Sequence, residues 1–241
     1  MAHDARDTLA DPVKCMERAA RLHDPHVRAL TQYIDAQNKS ERELPYIDPL
    51  GGGVSARALI LLQSPARHEV RPRFVSQDNP GPAQRNLKQF LGEAKLQRRD
   101  IVLWNLIPWL PQAGVPVRKP RRADIREGIA ALTAVLALLP NLQVVVFAGG
   151  IAQAAMATVA QCLPSVTLLR MPHPSPLSVC QSQAVPASII DTLACARRCL
   201  HTAAAEPVGS ACDPASERQV DVEQHRPAVP NMAVETFGRE R

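Results

Sequence analysis

No apolar run in the chain approaches the 18 residues that a membrane-spanning helix needs. The first ten residues, MAHDARDTLA, also lack the charged-then-apolar order of a secretory signal. The expectation is a soluble, cytoplasmic protein with no membrane partner. Cysteines are present but form no C-x-x-C pair: they stand at Cys15, Cys162, Cys180, Cys195, Cys199 and Cys212. That pattern argues against a zinc or iron–sulfur site and for free thiols in a reducing compartment. Cys195 and Cys199, four apart on an expected helix, can both simply pack. Aromatic residues are scarce at 3%, and much of the 46% apolar content is Ala, Leu and Val. No internal repeat is found. A G-x-G-x-x-G phosphate turn is missing too, because GGG (51–53) precedes the first apolar run instead of following it.

What is present is a chain of 241 residues, enough for one large domain, with a net charge of +5 and a pI near 9.1. That charge suits an anionic polymer as partner and equally suits a basic protein that binds none. Four short apolar runs, ALILL (58–62), IVLW (101–104), VVVFA (144–148) and VTLLR (166–170), are continuous, not alternating, as in strands buried on both faces of a parallel sheet. Helical patterns lie between and after them, at 82–96, 123–139, 150–162 and 186–200. The alternation predicts a three-layer α/β/α domain around a central four-stranded, mainly parallel sheet, over residues 55–202. Residues 1–54 read as an N-terminal helical extension, with a helix from about Pro12 to Gln37, and a linker in DPLGGGVSAR (48–57). Residues 203–241, Pro-, Glu- and Ser-bearing without periodicity, read as a disordered tail.

Each expected strand is followed by an unusual segment: QSPARH (63–68), Asn105, Gly149 with Gly150, and MPHPSPLS (171–178). The ends of parallel strands share one edge, and α/β folds bind ligands at such edges. The last segment is the most distinctive, with Pro172, Pro174 and Pro176 enclosing His173 and Ser175 and with Leu177 after them.

HPSPLS (173–178) resembles the His-containing loop of the uracil-DNA glycosylase superfamily. LLQSPARH resembles that family's first motif, a strand followed by a Gly-(Gln/Glu)-x-Pro turn. RFVSQDNPGPAQRNL resembles the segment that supplies a stacking phenylalanine, and LWNLIPW the strand that ends in a uracil-reading asparagine. The resemblance spans roughly residues 55 to 200 and implies a monomeric enzyme, acting without a cofactor, that hydrolyses the N-glycosidic bond of uracil in DNA. It implies that His173 hydrogen-bonds uracil O2 as charge develops on the leaving base, and that Asn105 reads O4 and N3–H. Phe74 would stack on the ring, while Gln63, Pro65 and Ala66 would offer backbone groups. Leu177 would fill the space left by the flipped nucleotide, on a loop stiffened by Pro176. Ser175 would hold a phosphate, and Arg118, Lys119, Arg121 and Arg122 (in RKPRR) would attract the backbone.

Each of these residues also has a plainer reading. His173 can cap loop backbone groups, Asn105 can form a turn, Phe74 can pack in the core and RKPRR can be a solvated loop. Gly149 and Gly150 read first as tight strand–helix packing. The sequence also departs from the family pattern. Ser64 stands where the best-known branch has a water-positioning aspartate, and Leu62 replaces the motif's glycine. Asp78 is the nearest carboxylate in sequence and the substitute candidate for activating water. Ala66 occupies the place of a tyrosine that excludes thymine, with Gln63 as an alternative for that task. The cysteines that hold a cluster in the thermostable branch are absent. Two other readings stay open: a non-catalytic or altered-specificity relative that binds DNA, and an α/β nucleotide-binding module.

Overall fold

The computed structural model describes residues 8–38, 42–65, 70–111 and 118–202. The tail expected at 203–241 lies outside the described residues.

The apolar runs form the sheet. Strands β2 (Ala58–Leu62), β4 (Ile101–Asn105) and β5 (Val144–Ala148) are buried at all five positions. β6 (Thr167–Met171) closes one side and is partly exposed, as an edge strand is. All pairings are parallel, in the order β4-β2-β5-β6, so the two strands laid down first and third form the centre. Side chains alternate between faces. Leu59, Leu61, Val102, Trp104, Val145 and Phe147 pack on one side with α2 (Arg28–Gln37), α4 (Arg122–Ala137), α5 (Gly149–Gln153) and α6 (Met156–Cys162). Ala58, Ile60, Leu62, Leu103, Val146 and Met171 pack on the other with α3 (Pro82–Glu93) and α8 (Ala184–Thr202). The three-layer α/β/α architecture is therefore as the sequence predicts. Among the described residues, no helix is long and apolar enough to cross a membrane.

The N-terminal region differs from the expectation. The single helix over 12–37 is two, α1 (Pro12–Ala19) and α2, separated by a turn that contains Pro25. Proline lacks the N–H a helix interior uses and disfavours helical backbone at the residue before it, here Asp24. The break lets Val27, Leu30 and Ile34 enter the main core beside Trp104 and Phe147, so this region is a layer of the domain and not an appendage. The expected linker is a tight turn. Gly53 has φ +54°, and a Cβ there would lie 2.0 Å from the His26 carbonyl oxygen. A further two-stranded parallel sheet, β1 (Tyr46–Ile47) with β3 (Phe74–Val75), flanks the domain.

Candidate functional site

Parallel strands put four chain segments at one edge, and short contacts fix them there. The β2–β4 ladder continues past both strands: Leu106 N–H donates to Leu62 O at 2.8 Å and Ile107 N–H to Gln63 O at 2.9 Å. Asn105 is thereby held in register beside Leu62, and it is buried, 2% exposed. Among the described residues, no group is recorded in a hydrogen bond with its carboxamide. Gly128 of α4 allows this packing, since a Cβ there would lie 2.0 Å from Leu106 O. Gln63 and Pro65 are half-buried, and Ser64 is exposed. Ala66 lies outside the described residues.

At the opposite side of the sheet, β6 runs into the proline-rich loop. His173 is half-buried, and its Nδ1 accepts the Ser175 N–H at 3.1 Å. A neutral imidazole with an accepting Nδ1 carries its proton on Nε2, so the ring presents one N–H donor. Burial lowers its pKa from the ordinary 6.5, which keeps it neutral near pH 7. Two elements clamp the loop. Gly149, the first residue of α5, has φ +82°, and a Cβ there would come within 3.0 Å of the His173 Cβ. From the other side, Asn86 Nδ2 of α3 donates to Pro174 O at 2.9 Å. Ser175 then caps α7 (Pro176–Val179), whose first turn leaves Leu177 83% exposed. Proline at the first helical position suits this short turn, because its missing N–H would have had no partner there.

His173 and Asn105 therefore belong to the same edge but to different strands, three strand spacings or about 14 Å apart at the sheet. Asn105 follows Leu103 by two residues within β4 and so shares its α3–α8 face, whereas His173 lies beyond the end of β6, against Gly149 of α5. A groove beside His173 is lined by Gly149, Gly150, Gln153, Arg170 and Ser178, and Asn105 does not line it.

Two candidates land elsewhere. Asp78 belongs to a buried ion cluster: its carboxylate meets Arg98 at 2.6 Å, Lys88 at 2.9 Å and Arg18 at 3.1 Å. Arg18 and Arg98 also hold Asp48, which accepts from Ser76 Oγ. Burial alone would push the Asp78 carboxyl up, but Arg98 and Lys88 outweigh it and bring the pKa to about 2. Arg98 precedes the first residue of β4, at the end of the strand opposite Asn105. A carboxylate occupied by three cations at the amino end of the sheet is a poor proton acceptor in the wrong place. The assignment of Asp78 to water activation is corrected: its role is structural. Phe74 is 2% exposed and packs with Leu9, Cys15 and Tyr46, its ring centroid 6.4 Å from that of Tyr46. That core packing accounts for its burial.

The basic residues lie around the start of α4. Arg118 and Lys119 are exposed, but Arg118 is bidentate to Asp124 at 2.6 and 2.9 Å. The Arg118 guanidinium and the Arg121 N–H lower the Asp124 pKa to about 2. Arg121 and Arg122 are exposed at the helix start, with no carboxylate partner recorded among the described residues. Asn86 and the seating role of Gly149 emerge only from the structure. A mid-helix asparagine, poor in helix propensity, was the available signal for the first.

The family model described as the uracil DNA glycosylase superfamily matches residues 49–197. Among solved structures, SMUG2 of Pedobacter heparinus aligns with a TM-score of 0.44 at 13% identity, over 75% of this chain and 85% of that one. A mimivirus UNG variant in complex with UGI aligns with a TM-score of 0.36 at 14% identity, over 72% and 73%. No curated protein sequence matches.

Proposed function

The chain belongs to the uracil DNA glycosylase superfamily, a family of DNA glycosylases, and on that premise we propose that it excises uracil from DNA and leaves an abasic site. The observation that carries this reading is His173, a neutral imidazole seated on Gly149 with Nδ1 committed to Ser175 and Nε2–H left to donate. A fixed donor at the point where negative charge grows lowers the barrier without reorganising.

In this reading the nucleotide leaves the stack, Leu177 fills the vacated space and the proline-stiffened loop loses little entropy on binding. The C1′–N1 bond breaks with its electron pair going to the base, and His173 Nε2–H stabilises the charge at O2. Water then supplies hydroxide to C1′, and its proton ends on the departed base. Ser64 offers a hydroxyl and no carboxylate, which fits a largely dissociative step in which a cation-like sugar is captured by loosely held water. Asn105 donates to O4 and accepts from N3–H. Cytosine reverses both partners and would leave buried groups unpaired.

The test is a labelled oligonucleotide with one uracil, incubated with protein and then cleaved at abasic sites by alkali. Product from the wild type is expected, with His173→Ala slower by about 10²- to 10³-fold, the usual cost of losing one such donor. Asn105→Ala is also expected to lose activity, and Asn105→Asp to gain activity on cytosine. Binding without product would instead favour a non-catalytic relative, a reading suggested by Ser64.

A further inference from the structure

We propose that Arg170 is a phosphate anchor for the target DNA strand, with Gln153 beside it, in the groove alongside His173. The inference rests on the DNA-binding reading above and adds a residue that the family motifs do not include. Arg170 is the fourth residue of β6, three before His173, and is exposed. Along with Gln153, it lines the same groove as His173, Gly149, Gly150 and Ser178, and among the described residues no acidic one lines that groove. Its Nε points at Met156 Sδ at 2.9 Å, which orients the guanidinium, and among the described residues no carboxylate pairs with it. In that it differs from Arg18, Arg42, Arg57, Arg71, Arg98 and Arg118, each of which meets an Asp or Glu.

An oriented arginine with both Nη groups open is suited to a phosphodiester, whose oxygens accept its parallel N–H pair. Gln153 adds a neutral amide donor on the same wall, and the glycines leave that wall low enough for a backbone to approach. Position supplies the rest. Leu177, 83% exposed, is the residue next to Ser178, which lines the groove with Arg170, and this puts Arg170 within reach of a phosphate beside the nucleotide that Leu177 displaces.

Binding of the full chain to a fluorescent uracil oligonucleotide, measured from about 50 to 200 mM salt, tests this, because each phosphate contact contributes close to one to the slope of log Kd against log salt. For Arg170→Ala the expected result is a Kd weaker by about tenfold at low salt and a slope smaller by about one. Arg170→Lys should keep the slope and lose part of the affinity, since an ammonium is a point charge without the fork. Gln153→Ala should weaken binding with the slope unchanged. Arg99→Ala removes an exposed charge beside the amino end of β4 and should leave the slope unchanged. An unchanged slope in Arg170→Ala, or equal changes in Arg170→Ala and Arg99→Ala, overturns the inference. Failure of the wild type to excise uracil while its binding still depends on Arg170 would sink the glycosylase reading and leave this one standing.

Discussion

At the scale of single residues, His173 joins sequence to chemistry through its surroundings. The sequence supplies an imidazole among prolines, and the fold decides its protonation by covering it and aiming the Ser175 N–H at Nδ1. Since burial depresses the folded pKa below 6.5, the neutral ring persists to lower pH than a free histidine would. The acid limb of the excision rate should therefore fall below pH 6.5, and its loss in His173→Gln would identify the titrating group. A limb centred at or above 6.5 would refute the assignment. The same shift bears on folding. The unfolded chain takes up the proton first, so the contribution to stability is complete above 6.5 and declines as pH falls through the folded value. Gly149 shows the limit of reading residues one by one. A glycine pair after a strand reads as packing, but that the packing partner is the histidine itself depends on a contact between residues 24 positions apart in the chain.

At the scale of elements, the strands were legible because continuous apolar runs have few alternatives, and β2, β4 and β5 fall within a residue of the runs that predict them. The first helix was not, because the amphipathic pattern carries through Pro25 while the backbone cannot. The role of Asp78 is hidden for a related reason: its partners Arg18 and Arg98 lie 60 and 20 residues away, and nothing local to SQDNP announces them. The cluster ties α1, α3 and the approach to β4 together. Asp78→Asn should leave Arg18, Arg98 and Lys88 short of one buried anion and cost on the order of 3 kcal/mol, read as a lower melting temperature. Uracil excision should persist at a temperature where the variant is folded. A loss of excision in a folded Asp78→Asn protein would return the residue to the catalytic candidates. With a folded pKa of about 2 against 3.8, the charged Asp78 contributes about 2 kcal/mol above pH 3.8, and this is lost as pH falls through 2.

At the scale of the whole molecule, residues 1–54 are the clearest revision. Val27, Leu30 and Ile34 are fully covered in the main core. At about 1.5–3 kcal/mol for each side chain, their burial amounts to roughly 5–9 kcal/mol, comparable to the entire stability of a typical domain at about 5–15 kcal/mol. A chain beginning at residue 55 should therefore fail to fold, seen as loss of a cooperative thermal transition. A stable, cooperatively melting product would show that the α2 layer is dispensable.

The strand–helix alternation, the shared edge for its polar strand ends and the family resemblance of HPSPLS are legible in the chain alone, because each depends on residues adjacent in it. That Asp78 balances arginines at the far end of the sheet, that Gly149 seats His173 and that α2 closes the core follow from the folded arrangement. Those outcomes depend on which distant groups share a low-dielectric interior, where an uncompensated charge or a single extra methyl group is costly and no local pattern records the partner.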